Sequence, residues 1–178
     1  SKSSGMIIAD RLFETNTFRI EDLLEKSYCP VCIIAPEIKH VEHVVFKYDR
    51  SHSSAYAINS WRALFPGVVG RTFHVVTVAG EKQLQGADEL VLQLEKAYGT
   101  SLALEDLAGN PREELQRYIK KCPVDTFVVM GAFGRGFLSN LVHRSIGSDI
   151  LRYTAAYLFI AHRKQMFFCL PSQLIYFH

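Results

Sequence analysis

No stretch of this chain approaches the roughly 18 consecutive apolar residues that a membrane span requires, although 48% of its 178 residues are hydrophobic. No membrane partner is expected. Charge of one sign is also scarce, since 20 Lys and Arg stand against 18 Asp and Glu for a net +2, and the basic residues are scattered rather than clustered. That balance argues against nucleic acid or an anionic lipid surface as a ligand. The strings that carry familiar catalysis are missing too: there is no G-x-S-x-G elbow, no P-loop lysine motif and no paired-carboxylate arrangement. The seven histidines, at 40, 43, 52, 74, 143, 162 and 178, show no H-x-H or H-x-x-x-H ligand spacing. No catalytic residue and no metal ligand is therefore assigned, and the chain is expected not to be an enzyme.

Cysteine is sparse and unpatterned, at 29, 32, 122 and 169. Cys29-Pro30-Val31-Cys32 is nominally a C-x-x-C, but redox chemistry wants the first thiol at a helix N-terminus, where the dipole stabilises thiolate. Here the helical pattern of Ile20, Leu23 and Leu24 ends before the pair, and Val31 to Ile34 reads as a strand. Both are expected to be ordinary buried cysteines, with no second pair to complete a zinc site. Few cysteines and no apolar h-region at the start lead to a cytoplasmic expectation. The chain opens on Ser1 rather than Met, so its natural beginning is expected to lie upstream.

What is present is organised around residues 124–161. Thr126 to Met130 is a short, apolar, β-rich run that reads as a buried parallel strand. The glycine-bearing turn Gly131-Ala132-Phe133-Gly134-Arg135-Gly136 follows, then a 3-4 apolar stripe from Leu138 to Leu151, then a second apolar run, Leu158 to Ala161. Strand, turn, helix and strand make one βαβ crossover, with the turn at the carboxyl end where open α/β sheets hold ligands. The string Val-Val-Met-Gly-Ala-Phe-Gly-Arg-Gly, with Arg144-Ser145-Ile146 following nine residues counted from Arg135, resembles the signature of the universal stress protein family. Gly131, Gly134 and Ser145 match that signature, while Arg144 stands where its third glycine is expected. The resemblance implies a doubly wound, five-stranded parallel α/β sheet of the adenine nucleotide alpha hydrolase-like type. It also implies frequent dimerisation through the last strand, and ATP binding in some members only.

The first 37 residues echo the organising stretch. Asp22 to Ser27 followed by Pro30 to Ile34 parallels Asp149 to Thr154 followed by Tyr157 to Ala161, at an offset of 127. Residues 1–37 thus read as the remnant of a first copy, 42–163 as a complete second copy and 164–178 as an apolar extension. Met6 to Ala9 would be the remnant's strand, with Ile8 matching Met130 at an offset of 122 and a loop five residues shorter. Its Asp10-Arg11-Leu12-Phe13-Glu14 contains no glycine, so this copy should hold no nucleotide.

In the second copy, His43 to Tyr48 is the expected first strand, and Asp49-Arg50-Ser51 at its end is similar to the family's D-x-S, whose aspartate approaches adenine or ribose. The alternative is that Asp49, Ser51 or Ser53 merely caps a helix starting near Ser54. Trp61 is expected in the core. Strand two spans Thr72 to Val78, a helix spans Gly86 to Tyr98 and stops at Gly99, and a short third strand spans Ser101 to Leu104. Asn110-Pro111-Arg112-Glu113 is a strong helix start, with a cap, proline at the first helical position and an acid three residues on.

The reading is a universal stress protein-like, non-enzymatic stress-response module that acts through dimerisation or docking of an unidentified protein. Val31 and Ile33, Leu158 and Ile160 are expected to pair antiparallel, in a homo-oligomer or an intrachain pseudo-dimer, with the tail Phe167 to Phe177 covering that junction. No cofactor is favoured. The alternative is an ATP- or AMP-binding regulator, for which the resemblance implies contacts from Asp49, Val78, Met130, Gly131, Gly134, Arg144, Ser145 and Ile146. An enzyme of the same superfamily is the second alternative.

Overall fold

Short runs rich in Val, Ile and Phe form the strands and 3-4 apolar stripes form the helices, as their periodicities require. The computed structural model describes residues 5–10, 20–27, 29–34, 40–78, 87–131, 156–161 and 174–177. The strands are β1 Met6–Asp10, β2 Val31–Ile34, β3 His43–Lys47, β4 Thr72–Val78, β5 Leu102–Leu107, β6 Thr126–Gly131, β7 Tyr157–Ala161 and β8 Leu174–Phe177. The helices are α1 Ile20–Lys26, α2 His52–Leu64, α3 Ala87–Tyr98 and α4 Pro111–Lys121. The helix expected over 138–151 lies outside the described residues.

All eight strands join one sheet in the order β5-β4-β3-β6-β7-β2-β1-β8. The five strands from β5 to β7 are mutually parallel, and so are β2, β1 and β8. The two blocks meet antiparallel at β2 and β7, where Val31 faces Ile160, Cys32 faces Phe159 and Ile33 faces Leu158. The antiparallel pairing expected of these two strands occurs within the chain, so the five parallel strands of the second copy continue into the N-terminal strands and β8.

Strand alternation sends side chains to two cores, as a sheet covered on both faces requires. One face carries Val45, Val76, Val128, Met130, Leu158 and Ile160 under α4, through Leu115 and Ile119, and continues into Ile7, Ala9, Val31 and Ile33 under α1, through Ile20, Leu23 and Leu24. The other carries Val44, Phe46, Phe73, Val75, Phe127, Val129 and Phe159 under α2 and α3. Trp61 is 1% exposed there, edge-on to Phe46 at 5.3 Å and to Phe127 at 5.9 Å.

Helix ends follow their local chemistry. Asn110 accepts from the Glu113 amide at 3.4 Å and its carbonyl from Glu114 at 3.0 Å, opening α4 as expected. Gly99 closes α3 in the left-handed region, at φ 64°, its amide donating to Glu95 O at 2.8 Å, a geometry that favours glycine. Helix α2 begins at His52, two residues before the expected start, because Ser51 is its cap. Strand β5 runs on to Leu107, and its Glu105 and Asp106 sit on an outer strand where charge is tolerated.

Two expectations require correction. In register Ile7 faces Val31 as Val128 faces Leu158, so β1 and β6 correspond at an offset of 121, not 122, and the remnant's loop is six residues shorter. The reason is parity: Ile8 packs on the same face as Val129, whereas Met130 belongs to the opposite face. The tail residues 174–177 do not cover the β2–β7 junction, where β2 already has neighbours on both sides; they pair with the outer side of β1.

Phe159, fully buried at the centre of the antiparallel junction and 6.4 Å from Phe65, tests whether the blocks form one unit. Phe159→Ala should cost about 3–5 kcal/mol in urea unfolding while keeping one transition by both circular dichroism and Trp61 fluorescence. Two separated transitions would show that the blocks fold independently.

Candidate functional site

Strand β3 lies between β4 and β6, and the chain goes on from β3 to β4 on one side and from β6 to β7 on the other, the reversal of strand order at whose carboxyl edge open α/β sheets bind ligands. The structure brings Asp49, Val78, Met130 and Gly131 to this carboxyl edge. Gly134, Arg144, Ser145 and Ile146 lie outside the described residues.

The edge is built by the turn from β3 into α2. Arg50 takes φ 60°, the only non-glycine residue in the left-handed region among the described residues, and this reverses the chain. Asp49 braces the reversal: its Oδ1 accepts from the Ser51 amide at 3.0 Å, while Ser51 Oγ accepts from the Ser54 amide at 3.0 Å to cap α2. Ser54 Oγ donates back to Ser51 O at 2.9 Å. The turn shows the capping reading of the D-x-S string, with Ser51 as the cap and Asp49 as its support.

The remaining oxygen of Asp49 reveals a residue that the sequence reading passed over. Lys47 ends β3 and is only 2% exposed, with its Nζ 2.6 Å from Asp49 Oδ2. Burial pulls the Lys47 amine down to about 8, and the Asp49 charge and hydrogen bond only partly oppose it. For Asp49, burial works against ionisation but is outweighed by the Lys47 charge, its hydrogen bond and the Ser51 donors, so the carboxyl stays below its ordinary range. A lysine closing a strand reads as surface in sequence; the only signal was an acid two residues on, able to turn back over it.

Gly131 owes its identity to packing. Its φ is not in the left-handed region, but a Cβ there would collide with the Ser53 carbonyl carbon and lie 2.5 Å from the Ser54 nitrogen. The first turn of α2 thus rests directly on the end of β6. Farther along the edge, Thr77 Oγ1 donates to Asp106 Oδ1 at 2.7 Å, tying β4 to β5.

Elsewhere, Cys32 is buried and free, its thiol pushed up to about 12 by burial, which removes thiolate chemistry at neutral pH. A cavity of about 230 Å³ lined by Val41, Trp61, Phe65, Val68, Arg71 and Phe127 lies at the opposite, amino-terminal edge. Among the described residues no group of three or more His, Cys, Asp or Glu converges, and no helix is long and apolar enough to cross a membrane.

No family model and no curated protein matches this chain. In structure it is similar to a universal stress protein from Archaeoglobus fulgidus DSM 4304, with a TM-score of 0.60 and 17% identity over 80% of this chain and 53% of that one. It is also similar to the hypothetical protein MJ0577, with a TM-score of 0.50 and 15% identity over 70% of this chain and 98% of that one. The functionally unknown protein PA1789 from Pseudomonas aeruginosa PAO1 gives a TM-score of 0.53 and 17% identity, over 89% and 63%. The chain thus spans about half the length of the Archaeoglobus protein. At these identities the likeness establishes a fold: the doubly wound α/β sheet of universal stress proteins.

Two predictions follow from the geometry. Gly131→Ala should cost about 1–3 kcal/mol by forcing α2 off β6, read by thermal or urea unfolding; an unchanged midpoint would mean the contact yields freely. The folded-state pKa of Lys47 near 8 lies below its ordinary 10.5, so the unfolded chain holds more protons between those values and stability should rise with pH across that window. Lys47→Met removes this rise, whereas the opposing contributions of buried thiols such as Cys32 are shared by both proteins and cancel. Parallel stability profiles from pH 8 to 10.5 would refute the burial of a titrating amine.

Proposed function

We propose that this chain, folded as universal stress proteins fold, is a non-enzymatic stress-response module whose carboxyl edge takes no nucleotide and which works by docking a protein partner in the cytoplasm. The observation that carries this reading is the engagement of Asp49. One of its oxygens holds the Lys47 ammonium and the other holds the turn that starts α2. A ribose or adenine group seeking that carboxylate competes with a buried charge pair and with the turn, and displacing the charge pair typically costs about 3–5 kcal/mol. Arg144, standing where the resemblance expects a glycine, adds a side chain where backbone would have to approach phosphate closely.

The strands that the family resemblance assigns to dimerisation are paired with each other inside this chain. The reading is therefore an intrachain pseudo-dimer through Val31, Ile33, Leu158 and Ile160, rather than a homo-oligomer through those strands. A second reading, an ATP- or AMP-binding regulator, draws support from one observation: Asp49, Val78, Met130 and Gly131 reach the same edge at the point where the strand order reverses.

Calorimetric titration with ATP and magnesium separates the two. No binding is expected up to about 1 mM, a limit near −4 kcal/mol. Micromolar binding that Gly134→Val abolishes would overturn the proposal in favour of the regulator. Binding gained by Arg144→Gly would place the obstacle at that side chain, and binding gained only after adding Lys47→Met would place it at the ion pair.

A further inference from the structure

The two blocks of the sheet are related by an approximate dyad through the Cys32–Phe159 pair, since Val31 faces Ile160 just as Ile33 faces Leu158. Under it β2 corresponds to β7 and β1 to β6, because Ile7 faces Val31 as Val128 faces Leu158. In the larger block the outer side of β6 is covered by β3, parallel, with Val44 opposite Phe127, Val45 opposite Val128 and Phe46 opposite Val129. In the smaller block the outer side of β1 is covered by β8, also parallel, with Leu174 opposite Met6, Ile175 opposite Ile7 and Tyr176 opposite Ile8. Transferred through the dyad, Leu174, Ile175 and Tyr176 fall on Val44, Val45 and Phe46. Orientation, register and residue type (aliphatic, aliphatic, aromatic) all agree, although β3 comes before the other strands of its block and β8 after the other strands of its own.

We infer that the outer edge of β1 is a strand-acceptor site whose ligand class is an extended apolar peptide of that pattern, added parallel, and that β8 fills it here as the counterpart of β3. Main-chain hydrogen bonds supply the affinity of such a site, and alternate side chains supply its selectivity. The same edge left bare would be an unpaired row of donors and acceptors beside the apolar run Met6-Ile7-Ile8-Ala9, which invites non-specific pairing. Occupation by the chain's own terminus answers that hazard.

In a parallel ladder adjacent residues direct their amides to opposite sides, and among the described strands β8 has a neighbour on one side only. Of the full-length variants Ile175→Pro and Tyr176→Pro, one therefore removes a bond to β1 and the other falls on the open side. The first should speed hydrogen exchange of β1 amides by about tenfold or more, the second should leave them protected, and amides of β3, β4 and β6 should be unaffected in both. Adding the peptide Ser-Gln-Leu-Ile-Tyr-Phe-His to the disrupted variant should restore β1 protection. A peptide with lysine at the Ile and Phe positions should not. Equal effects from the two prolines, or failure of the matching peptide to restore protection, would overturn the inference.

Discussion

The antiparallel ladder between β2 and β7 is the contact on which the rest of this structure depends. Strands of four and five residues are too short to be stable alone, and a sheet gains independence only when several strands share a covered face. The described residues between 5 and 34 contribute two strands and one seven-residue helix, well below what a self-sufficient core needs. By joining β7 they share in a core that the larger block already possesses, and Val31, Cys32 and Ile33 are 1–3% exposed as a result. The antiparallel sense makes the two blocks symmetric and sends their carboxyl ends to opposite edges of the sheet.

At the larger block's carboxyl edge a single turn carries several jobs. Asp49 anchors the reversal at Arg50, positions the cap of α2 and neutralises Lys47. Gly131 lets the helix so started rest on the end of β6. These constraints support one another: α2 must descend close to β6 for its Trp61 to reach Phe46 and Phe127, and only a capped, tightly turned start puts it there. A carboxylate tied to helix placement is poorly free to serve a ligand, so packing and binding compete for the same atoms.

Much of this architecture was legible in the sequence, and the losses have specific causes. The strands Val31 to Ile34 and Leu158 to Ala161 were legible because each is a short, β-rich apolar run, and Asn110-Pro111 and Gly99 marked helix ends because their chemistry is local. The match of Ile8 to Met130 failed because a five-residue apolar strand has no feature that fixes its register; only the choice between two buried faces does, and that choice is tertiary. The burial of Lys47 was hidden because it depends on Asp49 folding back across a turn in the left-handed region. The destination of Leu174 to Phe177 was hidden for a similar reason: an apolar terminus announces that it will be covered, but not by which strand. Of the site residues, the four on strand ends and the first turn could be placed together, since strand ends are what the βαβ pattern locates best.

The dyad also shows where the two blocks part company. Asp10 occupies in β1 the place that Gly131 occupies in β6, opposite Ile34 as Gly131 is opposite Ala161. In the larger block that place must be glycine, because the first turn of α2 lies against it. A residue with a side chain can stand at the corresponding place only if no helix descends there as α2 does. Among the described residues the smaller block thus shares the sheet geometry of the larger one but not the close approach of helix to strand at Gly131.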